Sequence, residues 1–404
     1  MRIGINARFL VAKRTGVQRA AYNLLRSLVG IDRDNEYFLF TGENEKTNPE
    51  WNFPNVHVVG AEIREGESIR NHLWEQFQLP RLAKKYQVDI LHSPANMAPI
   101  FYKGKSIVHI HDLCFVVNPQ WYSFPFHTIY NLVIPRLAHR ASKVITNSNN
   151  SRNDLLQFCD VSSDRVSLIY WAVDEIFSEA SDNLKATSTE NPAEGYILYV
   201  GSLEPRKNIR TLIESFEHMR NQNPKLTTKL VLIGGESPLF AEVRLNVKRY
   251  KNDVIFKGFV NDELLRDYYR RATLVVYPSL YEGFGLPPLE AMASGTPVVT
   301  SNTSSIPEVV GDAALMVSPM DVEGLSDAML RVLNDPELRA VLRRKGLEQV
   351  KKFNWMRVAK HTLAVYYEVH HSKRNDAEAH YMPLDVWRKL SQMEKDKMQL
   401  LTNI

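Results

Sequence analysis

Short runs of β-branched and aromatic residues alternate along the chain with longer stretches whose apolar positions recur at helical spacing. In the first half the runs are Ile3–Ala7, Tyr37–Phe40, Val56–Val59, Asp89–His92, Ser106–Ile110, Lys143–Asn147 and Val166–Ile169. They are too short and too apolar for ribbons with one wet face, so they read as strands of a largely parallel sheet covered by helices on both sides. The helices expected between them are Val17–Leu28, Leu73–Lys85, Ile129–Ala141 and Ser151–Phe158. Residues 178–195 have almost no large apolar side chain and carry Pro192 and Gly195 at their end, the composition of a surface linker. The alternation then restarts, with strands at Tyr196–Val200, Leu230–Gly234, Val254–Lys257, Leu274–Tyr277, Pro297–Thr300 and Ala314–Val317. Helices are expected near Ile209–Met219, Asp262–Arg271, Leu289–Ser294 and Val322–Asn334.

The pattern predicts an α/β chain of two Rossmann-like, doubly wound domains, at 1–180 and 195–355, with a ligand crevice at the carboxyl ends of their strands. A basic helical stretch, Glu337–Lys352, precedes a further helix at Trp355–Tyr367, and residues 356–370 suit a helix crossing both domains. A polar extension, 371–404, follows; Val386–Leu401 within it reads as helix, with its role open.

Composition narrows the function only by exclusion. With 404 residues the chain has room for two real cores. Lys plus Arg number 50 against 46 Asp plus Glu, so the net charge of +4 is too balanced and too dispersed for a nucleic-acid binder. Two cysteines, Cys114 and Cys159, form neither a disulfide framework nor a zinc spacing. The first residues enter a strand rather than a secretion signal, and no apolar run reaches the ~20 residues of a membrane span. The expectation is a cytoplasmic protein in a reducing compartment, at most peripheral at the inner face of the plasma membrane.

Both halves look suited to nucleotides, yet neither opens with Gly-x-Gly-x-x-Gly, and no Walker sequence is present, which disfavours a dehydrogenase or an ATPase. Gly16, ahead of the first helix, leaves room for a phosphate or a sugar hydroxyl, or is an ordinary loop glycine. The second half carries more. After its first strand comes Gly201-Ser202-Leu203-Glu204-Pro205-Arg206-Lys207-Asn208. Adjacent cations between a strand end and a helix start can neutralise a diphosphate leaving group, Arg206 as a fixed fork and Lys207 as a mobile point charge. Tyr277 to Pro297 then reads strand, Gly-rich turn, Pro-initiated helix, Gly terminator, strand. Gly283 and Gly285 let backbone amides approach a ligand, while Glu282 and Glu290 are acceptor-only groups of the kind a sugar diol needs. The plain alternatives are a surface loop for Glu282 and a helix-dipole partner for Glu290.

The run Ile107-Val108-His109-Ile110-His111-Asp112 puts both histidines on one side of a strand. His111, nearer the crevice, is the candidate for touching a sugar, and His109 reads as a core histidine. A two-His-one-Asp metal site is disfavoured, because Asp112 points off the histidine face and no further ligand is evident.

At these residues the chain resembles the retaining glycosyltransferases of the GT-B fold, family 4, also called glycosyl transferases group 1, over roughly 1–370. Glu282-Gly-Phe-Gly-Leu-Pro-Pro-Leu-Glu290 is similar to the family's Glu-x7-Glu signature. The resemblance implies that Glu282 lies near the donor sugar and that Glu290 binds the ribose. It places the backbone of Gly283, Phe284, Gly285 and Leu286 around diphosphate and sugar. Lys207 falls on the family's diphosphate lysine, whereas Ser202 stands where the family has Arg, which leaves Arg206 as the second cation. His111 falls on the histidine over the donor sugar, Gly16 on the glycine loop, and Gly258-Phe259-Val260 on the turn near the base; Gly234-Gly235-Glu236 fits the same layout.

The chemistry implied is transfer of a hexose from a nucleotide diphosphate with retention of configuration, with no metal or other cofactor. Glu282, His111, Arg206 and Lys207 are the catalytic set. The likeness to bacterial mannosyltransferases of polysaccharide assembly suggests GDP-mannose as donor and a saccharide or lipid-linked saccharide as acceptor. UDP-glucose or UDP-GlcNAc as donor and a non-catalytic nucleotide-sugar scaffold are the alternatives. Acceptor recognition is expected at Phe115–Tyr130, through Trp121, Tyr122, Phe124, Phe126 and Tyr130. Lys13, Arg14, Arg19, Lys103 and Lys105 could meet an anionic lipid surface or a lipid diphosphate, although 21 basic and 20 acidic side chains over residues 1–190 argue against strong binding. Oligomeric state is left open.

Overall fold

The computed structural model describes residues 1–13, 15–122, 124–178, 195–235 and 252–372, without the side chains of residues 68 and 124–126. Arg14, Glu236, the linker between Ser178 and Gly195, the side chains of Phe124 and Phe126, and the extension past Ser372 lie outside the described residues.

The apolar runs form two wholly parallel sheets. In the first half the strands are β1 (Arg2–Asn6), β2 (Glu36–Gly42), β3 (Val56–Ala61), β4 (Ile90–Ser93), β5 (Lys105–His109), β6 (Lys143–Thr146) and β7 (Val166–Leu168), ordered β3-β2-β1-β4-β5-β6-β7. The second half has β8 (Tyr196–Val200), β9 (Leu230–Ile233), β10 (Val254–Gly258), β11 (Ala272–Tyr277), β12 (Val298–Ser301) and β13 (Leu315–Val317), ordered β10-β9-β8-β11-β12-β13. Strand order reverses between β1 and β4 and again between β8 and β11. At such a switch the flanking loops run to opposite faces and leave a crevice beyond the carboxyl ends of the strands. The loops after β1, β8 and β11, which carry Gly16, Arg206–Lys207 and Glu282–Leu286, all leave from these two points.

The helices of the first half are α1 (Gly16–Ile31), α2 (Ser68–Leu73), α3 (Leu79–Lys85), α4 (Cys114–Val117), α5 (Phe124–Arg140) and α6 (Asn149–Phe158). Those of the second are α7 (Ile209–Gln222), α8 (Asp262–Arg271), α9 (Leu286–Ala293), α10 (Ile306–Val310), α11 (Val322–Asn334), α12 (Pro336–Val350) and α13 (Trp355–His371). Three depart from the sequence reading, each at a proline. The helix expected at Leu73–Lys85 is broken by a π-turn, Trp74–Gln78, beside Pro80, which has no N–H for the regular ladder. The one expected from Ile129 starts at Phe124, with Pro125 in its first turn. The helix expected from Leu289 starts at Leu286, behind Gly285 in the left-handed region (φ 113°) and with Pro287 in its first turn.

The last two helices tie the halves together. Gly346 of α12 lies against Met292 of α9. The chain then turns, and α13 docks on the first sheet: Tyr366 meets His92, Lys143 pairs with Glu368, and Lys105 donates to the carbonyls of His370 (2.6 Å) and Ser372 (3.0 Å). This helix thus runs from the second half onto the first sheet. It also takes Lys105 away from any role at a lipid surface.

Candidate functional site

The segment after β8 makes one short turn, Pro205–Lys207, and Asn208 in the left-handed region (φ 58°) starts α7. The Asn208 side chain donates to the carbonyl of Pro278 (3.0 Å), and the Leu280 N–H donates to the carbonyl of Arg206 (2.8 Å), so the loops after β8 and β11 are laced together. That lacing aims both cations at Glu282. Lys207 Nζ donates to Glu282 Oε1 (2.6 Å) and to the Tyr277 hydroxyl (2.6 Å), and Tyr277 donates to the same carboxylate oxygen (2.9 Å). Arg206 reaches Glu282 Oε2 (3.3 Å) and Glu204 (2.9 Å). From the other side Ser304 Oγ accepts from the Glu282 N–H (2.9 Å), and Ser305 Oγ donates to the carbonyls of Glu282 (2.9 Å) and Phe284 (2.8 Å).

Glu282 and Lys207 are each 6% exposed. Burial by itself would raise the Glu282 carboxyl, but Lys207 and Arg206 outweigh it and hold the group below the usual carboxylate range. Burial and the neighbouring Arg206 together push the Lys207 ammonium down, against the pull of Glu282. The surface-loop alternative for Glu282 is thereby excluded. The chemical result is a preorganised carboxylate with two cations on a ready exchange footing for an incoming dianion.

A second cluster spans the crevice. Glu290, 7% exposed on α9, accepts from the Tyr269 hydroxyl (2.8 Å) and lies 3.8 Å from Arg19 Nη1 of α1. Arg19 also pairs with Asp262, at the start of α8. It is a crevice residue, not the lipid-facing cation the sequence suggested, because its side chain is only 14% exposed between these carboxylates. Gly16 faces Leu286, whose Cδ1 is 3.9 Å from where a glycine Cβ would lie. Phe259 is exposed beside Gly258 (φ 67°), and Lys13 sits 4.0 Å over its ring, so Lys13 also belongs to the crevice. Of the cations assigned to a lipid surface, Lys13 and Lys103 are exposed.

The carboxyl edge of the second sheet is built for close approach. Gly201 and Gly234 stand side by side, and a Cβ on Gly234 would lie 1.9 Å from the Gly201 carbonyl. Ser202, beside them, accepts at its own carbonyl from the Tyr199 hydroxyl (3.1 Å). Val260 packs partly into the core, and Phe284 turns its ring inward against Trp171 and Phe353, leaving backbone rather than side chain at that point of the loop.

His111 lies beyond the end of β5, not within it. Its ring still faces the same side as His109, with centroids 5.8 Å apart. Nε2 meets the Pro94 carbonyl (3.0 Å), the ring lies against Trp171, and Nδ1 is buried without a partner. Asp112 does leave the histidine face: Oδ1 accepts from the Cys114 N–H (3.0 Å), and Oδ2 turns toward Gly283. Among the described residues no group of three His, Cys, Asp or Glu is placed to hold a metal ion.

Behind His111 the rings of His109 and His92 continue as a buried column to the Tyr366 hydroxyl, 2.6 Å from His92 Nδ1. Burial lowers all three histidines, His92 and His111 to about 3, with His92 and His111 adding to the effect on His109. Their folded values lie below the unfolded value near 6.5, so the stability from keeping them neutral is present above that pH and is lost as pH falls toward 3. Each can contribute up to ~1.4 kcal/mol per pH unit in that window. Urea unfolding at about pH 7.5 and 5.5 is expected to show a steep loss, shallower in His109→Leu by roughly the share of one histidine; equal losses in the two proteins would refute the column's role.

The sequence brought forward Gly16, Arg206, Lys207, His111, Glu282 and Glu290, and all of them line the crevice or its floor. It missed Tyr277, Tyr269, Asp262, Ser304, Ser305 and the crevice position of Arg19. Only Arg19, one helical turn after Gly16, carried a local signal.

Comparison with known proteins adds what geometry lacks. Residues 14–176 match the family described as Glycosyltransferase Family 4, and residues 180–349 match Glycosyl transferases group 1. The chain is 31% identical over 290 residues to the O-antigen chain mannosyltransferase B of Escherichia coli, covering 70% of this chain and 75% of the relative. It is 30% identical over 277 residues to a serotype-specific mannosyltransferase, WbdA, of the same species, but spans only 33% of that longer protein. Among solved structures, sucrose-phosphate synthase from Thermosynechococcus elongatus superposes with a TM-score of 0.68 at 22% identity, over 91% of this chain and 99% of the other. The Anabaena protein HepE in complex with UDP-glucose gives 0.65 at 17%, over 91% and 100%. At these identities the structural likeness establishes the fold.

Proposed function

The chain belongs to the glycosyltransferases of family 4 and group 1, nucleotide-sugar-dependent enzymes of the GT-B fold, and from that premise we propose that it transfers mannose from GDP-mannose to a saccharide or lipid-linked saccharide, with retention, in polysaccharide assembly. The observation that carries the reading is the cluster of buried Lys207 and Glu282 with partly buried Arg206 at the β8/β11 switch point. A departing diphosphate needs cations and a sugar needs a fixed acceptor group, and this cluster supplies both within one set of contacts. The relatives named as mannosyltransferases support the choice of sugar.

In the step we propose, the bond from C1 of the sugar to the β-phosphate oxygen breaks on the face where the acceptor oxygen bonds. The acceptor proton passes to the leaving diphosphate. Arg206 and Lys207 take up the growing charge, Glu282 orients the sugar, Glu290 holds the ribose, and His111 lies over the sugar. The Gly258–Val260 turn borders the base, and the amides from Gly283 to Leu286, with Gly16 opposite, line the diphosphate. Approach of the two domains limits water, the competing acceptor.

Peripheral contact with the inner membrane face fits the exposed side chains of Ile69, Leu73 and Phe77, spaced one turn apart, and of Phe101, over which Arg140 lies. Among the described residues no helix is long and apolar enough to cross a membrane.

The test is a screen of GDP-, UDP- and ADP-linked mannose, glucose and GlcNAc for binding and slow hydrolysis. GDP-mannose is expected to bind and turn over best; a uridine donor preferred by both measures would overturn the donor assignment. Arg206→Ala and Lys207→Ala are each expected to weaken nucleoside diphosphate binding by about tenfold or more, the usual scale of a charge-assisted hydrogen bond. Unaltered binding in both variants would remove the cations from the site.

A further inference from the structure

Two carboxylates of the second domain, Glu290 and Asp262, meet a cation of the first, and this contact has a direction. Tyr269, from Glu290's own domain, fixes Oε2 by a hydrogen bond of 2.8 Å. Oε1 faces Arg19 Nη1 at 3.8 Å, close enough for strong attraction in a buried setting and too long for a hydrogen bond, so its lone pairs stay open to a hydroxyl. Arg19 itself is firmly placed. Its guanidinium lies over the Phe177 ring (5.5 Å), and its Nη2 is held by Asp262.

We propose that Arg19 is a positioning residue for ribose recognition, orienting the Glu290 carboxylate from across the crevice so that the ribose site is complete only when the two domains meet. The inference rests on reading Glu290 as the ribose residue. It links the nucleotide, bound by one domain, to a side chain of the other, and therefore links nucleotide binding to closure.

The surroundings of Glu290 supply a readout that a packing role would not move. Burial raises its carboxyl, and Arg19 is the cation that opposes this. The Tyr269 hydroxyl, by its hydrogen bond, lowers the group as well, while Asp262 and Asp174 raise it. These are the groups facing it from α1, from α8 and from the segment before the linker. A ribose diol donates two hydrogen bonds, so it needs the ionised carboxylate. Without Arg19 the carboxyl rises further, and ribose recognition becomes dependent on pH.

Calorimetry on the full chain with GDP and 2′,3′-dideoxy-GDP, and with the matching uridine pair, measures this. The wild type is expected to prefer the ribonucleotide by about tenfold or more, with little change between about pH 6.5 and 9. Arg19→Met should lose most of that preference at the lower pH and regain it at the higher, Arg19→Lys should stay near wild type, and Glu290→Gln should lack the preference throughout. A wild type indifferent to the ribose hydroxyls overturns the ribose reading of Glu290, and this inference with it. If the wild type discriminates, an Arg19→Met protein that does so equally, or that loses discrimination to the same extent at every pH, overturns this inference alone.

Discussion

Glu282→Ala is expected to reduce sugar transfer by at least about a thousandfold and to lower stability by ~3–5 kcal/mol, two effects with one cause. The carboxylate lies between the buried Lys207 and the partly buried Arg206 and receives a third hydrogen bond from Tyr277. Its removal leaves Lys207, already pushed toward the neutral amine by burial and by Arg206, with a phenol as its remaining hydrogen-bond partner. The repulsion between Arg206 and Lys207 is then answered only by Glu204, which pairs with Arg206 and not with Lys207. Removing one partner of a buried pair costs far more than removing both. The double variant Glu282→Ala, Lys207→Met should therefore recover much of the thermal stability while staying inactive. Activity and stability would then be separated on the same residue, which a general unfolding effect cannot do. Unfolding midpoints and initial transfer rates for the two single variants and the double variant decide it. Substantial transfer by Glu282→Ala would show that the sugar is oriented by other groups, and a double variant no more stable than the single would show that the cations were not strained by the loss.

This cluster is only partly legible in the sequence, for a physical reason that particular residues expose. The parallel sheets of two doubly wound halves follow from apolar runs of a few residues set between helical patterns, which is local information, whereas the order of the strands and the two switch points depend on tertiary pairing. The cations at 206 and 207 and the carboxylate at 282 are visible one at a time, as charges beside glycine and proline. Their meeting is not, because it depends on the long-range bonds of Asn208 to Pro278 and of Leu280 to Arg206. Tyr277 reads as one more strand residue, and Ser304 and Ser305 carry no signal of their own. Their hydroxyls act on Glu282 through tertiary contacts that no spacing announces. Arg19 was misread on the same account: an isolated arginine on an amphipathic helix is usually a wet one, and only the approach of α8 and α9 makes it a crevice residue. The proline-shifted helix starts had a local cause and were legible in principle from Pro80, Pro125 and Pro287.

Gly283→Ala is expected to cost about a hundredfold in transfer while leaving both domains folded and weakening nucleoside diphosphate binding only by the share of the Arg19–Glu290 contact, about tenfold at most. At Gly283 the second domain comes close to the backbone of the first: an added Cβ would lie 2.6 Å from the His111 carbonyl and 2.9 Å from Asp112 Cβ. Ordinary contact begins near 3.4 Å, and the obstacle is backbone that cannot rotate away. That backbone is also braced. Ser151 Oγ donates to the carbonyls of His111 (2.9 Å) and Gly283 (3.3 Å), and the Asn147 amide, with its nitrogen toward the crevice, donates to the same two (2.8 and 3.2 Å). A methyl group at 283 must therefore push the domains apart, which weakens these bridges together with the Tyr281–Asp154 contact and the Glu308 carboxylate that accepts from the Asn149 and Asn150 N–H groups. A displacement of about 1 Å is enough to lose roughly two orders of magnitude from an aligned reaction. Gly285, two residues on, offers the control. A methyl there meets Ile306 of its own domain at 2.8 Å, and the backbone sits at φ 113°, so Gly285→Ala should strain the second domain and weaken nucleotide binding. Transfer rates, GDP affinity and the solution radius of gyration distinguish the two glycines. A Gly283→Ala protein with full activity would mean that the reacting groups align without the close approach of Gly283 to His111.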